Sequence, residues 1–133
     1  MPIKIGRIIA LAVVIEALAI LLLVAIVAVF GPRESAAAQA YAQRLGYWVG
    51  PIAGFALCLG GGWLIGRKLP SHQLLNGLAL GTVVAAIDVA LLIASGASMQ
   101  TIFVVSNLGR VIAGSIGGWL AQATTRRSAV DRG

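Results

Sequence analysis

The sequence predicts an all-α, polytopic membrane protein: one membrane domain over residues 1–133, built as a four-transmembrane-helix bundle with both termini cytoplasmic. Three observations predict it. The chain is 59% hydrophobic and 11% charged, with a mean hydropathy of +0.98, whereas a soluble domain is roughly 45–50% apolar. Four apolar runs, at 8–30, 47–66, 74–95 and 102–122, each approach the roughly 20 residues that cross about 30 Å of hydrocarbon as a helix. Helix is the conformation available to them, because lipid offers no partner to a peptide N–H or C=O. The third observation is the placement of charge. Lys4, Arg7, Arg67, Lys68, Arg126, Arg127 and Arg132 fall on one side of the four spans, and only Arg33 and Arg44 on the other. Seven cations against two is the positive-inside asymmetry, which assigns both ends of the chain to the cytoplasmic face of a cell (inner or plasma) membrane.

The same distribution argues against nucleic acid as a partner. The net charge is +6, but the cations sit at span boundaries and not on one face. The lipid bilayer is the expected partner, and the basic C-terminal tail favours its anionic headgroups.

Span one begins after Lys4 and Arg7, which with Ala38-Gln39-Ala40 imitate a secretory signal and its cleavage site. Its apolar run exceeds the roughly 7–15 residues of such a signal and contains Glu16, so the span is expected to be retained. Gly31-Pro32 ends it. Ser35 is then placed to cap a short outer interfacial helix over about 35–45, and Tyr41, Tyr47 and Trp48 are the amphipathic aromatics that settle at an interface. That segment either lies on the bilayer or runs into span two with a kink at Gly50-Pro51. Leu69-Pro70 closes span two, Ser71 is the expected cap of span three, and the short connection 96–100 makes spans three and four a tight hairpin.

Helices in lipid associate largely through close approach at small residues. Span two carries them at every fourth position, Gly50, Gly54, Cys58, Gly62 and Gly66; span three carries Gly77 and Gly81, and span four Gly114 and Gly118. These stripes predict that spans two, three and four pack closely, with Cys58 acting as one more small residue. An internal echo accompanies them: Ile52-Ala53-Gly54 with Gly61-Gly62-Trp63-Leu64, and Ile112-Ala113-Gly114 with Gly117-Gly118-Trp119-Leu120. It fits two parallel hairpins, or two glycine-rich spans alike in composition only. Trp63 and Trp119 read as interfacial anchors.

Three ionisable residues lie inside spans: Glu16, Asp88 and Arg110. Each costs about 2.5–3.5 kcal/mol at mid-helix on insertion scales, and such groups mark pairing or functional sites. Counting from the span ends puts Glu16 and Arg110 at one depth near the midplane, and Asp88 level with Asn107 further out. Asn107 and Arg110, three apart, share a face. The expected site is a buried Glu16–Arg110–Asp88 cluster with Asn107 as its neutral member, joined by Ser106 or Asn76. The first reading of it is a charge clamp that holds the helices in register, in a non-enzymatic membrane component or accessory subunit. The alternative is a small proton-coupled transporter of cationic solutes acting as a dimer, with Glu16, Asp88 or both as the coupling carboxylate, since one arginine leaves one carboxylate uncompensated.

With its glutamate in Ile15-Glu16-Ala17 of the first of four spans, the chain is similar in layout to the small multidrug resistance transporters. In that family such a glutamate couples proton to cationic substrate within a dimer, which is what the resemblance implies here. It covers that glutamate and the span count. The chain departs from the family in carrying Asp88 and Arg110 deep in spans three and four, in its long first outer loop, and in lacking aromatics around Glu16 to stack on a flat cation.

No enzyme is expected. The single histidine, His72, falls at a span edge as a solvated loop residue, and spacing assembles neither a His/Cys metal set nor a nucleophile–base pair. Gly60-Gly61-Gly62 lacks the lysine and hydroxyl of a phosphate loop. No metal or cofactor is expected, and a homodimer or larger membrane complex is the expected assembly.

Overall fold

The computed structural model describes residues 4–130; Arg132, counted above, lies outside them. The four apolar runs are four helices, α1 (Ile5–Phe30), α2 (Ser35–Lys68), α3 (Gln73–Ala94) and α4 (Thr101–Val130), of 26, 34, 22 and 30 residues. All four are long and apolar enough to cross a membrane. Neighbours in sequence run antiparallel, so that Arg7 and Leu11 of α1 border one groove with Leu64 and Lys68 of α2. Lys4, Arg7, Arg67, Lys68, Arg126 and Arg127 therefore gather at one end of the bundle, called the basic end below.

Of the two arrangements expected for 35–45, the structure shows the second: that segment is no separate helix, and Ser35 begins α2, which continues through Pro51 to Lys68. Proline removes one backbone donor, to the carbonyl four residues back, and helices in apolar surroundings tolerate that loss. Both expected caps are corrected too. Glu34 precedes α2 and His72 precedes α3, neither with a side-chain cap hydrogen bond. His72 instead turns the chain in the left-handed region at φ 56°, and Asn76 Nδ2 donates to the Ser71 carbonyl at 3.0 Å. Past α3, Gly96 takes φ 69°, a backbone that glycine adopts without steric cost. Its N–H donates to the Ile93 carbonyl at 3.1 Å. α4 runs on eight residues beyond the expected end of its span, carrying Arg126 and Arg127 on helix.

α2, α3 and α4 form a packed trio, and α1 lies against α2 and α3 with no close backbone approach to α4. Glycine makes the trio possible. A Cβ built on Gly62 or Gly77 would strike the Gly114 carbonyl, one on Gly118 the Gln73 carbonyl, and one on Gly117 the Leu59 carbonyl. The backbones thus touch where side chains would ordinarily stand between them. The apolar core joins Ile8, Ala12 and Ile15 of α1 to Cys58 and Ile65 of α2, Leu80 and Val84 of α3, and Ala113 of α4. The buried residues of α1 all fall between Ile8 and Glu16. Its later turns are at most half-buried, and Val29 and Phe30 are more than 70% exposed.

Candidate functional site

Arg110 projects from the third turn of α4 into the space where α1, α2 and α3 meet, and is 4% exposed. Its Nη1 lies 2.8 Å from Asp88 Oδ1 and 3.3 Å from Glu16 Oε1. One guanidinium therefore bridges a carboxylate on α3 and a carboxylate on α1. A residue on α2 makes room for it: a Cβ on Gly54 would overlap Arg110 Nε and stand 2.9 Å from Nη2. Gly54, expected to face another helix backbone, is in fact the seat of the arginine side chain.

Asn107 sets the orientation of the pair. Its Nδ2 donates to Asp88 Oδ2 and to the Phe103 carbonyl, both at 2.9 Å, and its Oδ1 accepts from Arg110 Nη1 at 3.4 Å. Both amide protons are used, which fixes the amide plane. Asp88 thus has a partner on each oxygen. Glu16 is held less closely: its Oε1 and Arg110 Nε are buried and make no hydrogen bond among the described residues. The two carboxylates also differ in access, Glu16 being 7% exposed at its side chain and Asp88 20%. The depth count pairs Glu16 with Arg110 and Asp88 with Asn107. The structure brings all four together and puts Asp88 nearer the arginine, because the long guanidinium arm spans the difference in level.

The structure does not bring Ser106 or Asn76 into this group. Ser106 is buried and borders a groove with Pro51 and Phe55 of α2, and Asn76 is at the start of α3, bonded to Ser71. Gly50 is also apart from the packing, with open space where its Cβ would be. Cys58 is fully buried in the core, beside no second thiol.

A second polar tie is absent from the sequence expectations. Gln73 is 5% exposed, and its Nε2 donates to the Gly66 carbonyl at 3.1 Å and to Thr125 Oγ1 at 3.2 Å, linking α3 to α2 and α4 at the basic end. A signal for it exists: Gln73 stands four residues before Gly77 and eight before Gly81, on the same stripe.

Chemically, the site neutralises an arginine with two carboxylates and leaves one formal negative charge in excess. No protein-family model matches the sequence, and neither a curated protein nor a solved structure is significantly similar to it.

Proposed function

We propose that the chain is a small multi-pass protein of the cell membrane, with both termini cytoplasmic, that acts without catalysis as a component or accessory subunit of a membrane assembly. Arg110 is its register clamp. The observation that carries this reading is the guanidinium itself: buried on α4, paired with α1 and α3, and seated on α2. Charges spent on one another in this way hold helices at fixed depth and rotation. A breach is costly, since removing one partner of a buried pair leaves an uncompensated charge worth about 3–5 kcal/mol.

The three partners are unequal, so the clamp has a specific signature. Arg110→Gln leaves two carboxylates without a cation and is expected to cost about 3–5 kcal/mol. Glu16→Gln leaves the one-to-one Arg110–Asp88 pair and is expected to cost far less. Combining Arg110→Gln with Glu16→Gln and Asp88→Asn recovers most of the loss, as coupled residues do. Unfolding in mixed micelles followed by circular dichroism measures all of these.

A second reading, a proton-coupled carrier of cationic solutes working as a dimer, draws on the surplus carboxylate. It replaces the first if Arg110→Gln leaves stability unchanged while Glu16→Gln abolishes proton release when a cationic solute binds the purified protein.

A further inference from the structure

At the basic end the last turns of α2 and α4 border an open groove of about 700 Å³, lined by Trp63, Arg67, Thr124, Thr125, Ser128 and Ala129. Its two walls differ in chemistry. On α2, Trp63 and Arg67 are four apart and share a face, with the guanidinium carbon 4.7 Å from the indole centroid. A guanidinium held over a ring by cation–π attraction keeps N–H donors for an acceptor, and its fork matches phosphate. Among the described residues no hydrogen bond or ion pair occupies it.

The α4 wall is hydroxylated. Thr124 and Thr125 both donate to the Ala121 carbonyl at 2.9 Å, so further bonds to them are accepted ones, Thr125 having one lone pair already taken by Gln73 Nε2. A fork of donors facing a wall of acceptors suits an anion that carries hydroxyls of its own. The surroundings select for negative charge as well. Lys4, Arg7, Lys68, Arg126 and Arg127 share this end.

Resting on the reading of the helices as membrane-spanning, we infer that this groove binds the headgroup of an anionic phospholipid of the phosphatidylglycerol type. The phosphodiester lies on the Arg67 fork, the headgroup hydroxyls reach Thr124 and Thr125, and Trp63 marks the hydrocarbon boundary. Phosphate is the chemistry recognised; the bilayer is its source.

The test begins with wild-type protein in phosphatidylcholine nanodiscs, to which phosphatidylglycerol is added, the retained lipid being counted by native mass spectrometry. One phosphatidylglycerol per chain is expected to be retained ahead of phosphatidylcholine. Arg67→Gln and Ala129→Trp, the second filling the groove without removing charge, are each expected to weaken that retention about tenfold. Arg33→Gln, the same charge loss at the opposite end, is expected to leave it unchanged. Retention by Arg67→Gln equal to that of wild type, or phosphatidylcholine retained as well as phosphatidylglycerol, overturns the inference. Displacement of the lipid by millimolar inorganic phosphate overturns its source and makes free phosphate the ligand. Protein that never enters the phosphatidylcholine discs overturns the membrane reading instead, before any anionic lipid is added.

Discussion

Gly50 and Gly54 are one turn apart on α2, yet a methyl group at the first meets open space and at the second meets the Arg110 guanidinium. Gly50→Ala is therefore expected to stabilise the helix by about 0.5–1 kcal/mol, the propensity difference alone. Gly54→Ala displaces the arginine and is expected to cost about 1–3 kcal/mol. Parallel unfolding curves for the two variants check the contrast, and equal effects would mean that the guanidinium does not rest on Gly54. The sequence makes Glu16, Asp88 and Arg110 visible because ionisable groups in apolar runs are expensive and hence conspicuous. It does not make the role of Gly54 visible. That role depends on how a long side chain from one helix lies across the surface of another, and the small-residue stripe records only that something approaches.

Among the elements, hydropathy finds four helices because desolvated backbone has little other choice. It misplaces the start of the second. The apolar run begins at residue 47, whereas α2 begins at Ser35, passes through Gly50-Pro51 and extends for 34 residues. At about 1.5 Å per residue that is longer than about 30 Å of hydrocarbon requires. The seam between α3 and α4 is set by reciprocal glycines, a Cβ on Gly77 meeting the Gly114 carbonyl and one on Gly114 meeting the Gly77 carbonyl. Gly77→Ala and Gly114→Ala are each expected to cost about 1–3 kcal/mol. Together they are expected to cost clearly less than the sum, since one methyl already parts the backbones for the other. Strict additivity in a double-mutant cycle would place the two glycines in separate contacts.

For the molecule as a whole, the gathering of six cations at one end and of Arg33 and Arg44 at the other makes the orientation a direct prediction. Reporters fused at either terminus are expected to be active only in the cytoplasm, and one inserted after Ala97 only outside. Activity of the terminal fusions on the outer side would reverse the assignment. The count of cations was legible in the sequence because loop position follows from span position. The unequal packing was not, because α1 is the most apolar of the four helices and yet the least enclosed, its buried residues ending at Glu16. That inequality has a dimension in time. During synthesis Glu16 precedes Arg110 by about ninety positions, which at roughly 5–20 residues per second amounts to about 5–20 s. For that interval the carboxylate has no Arg110 to meet, although α2 and then α3, the helices against which α1 packs, are already being made. Glu16 thus gains its cation only when α4 arrives, after the helices against which α1 packs have been made.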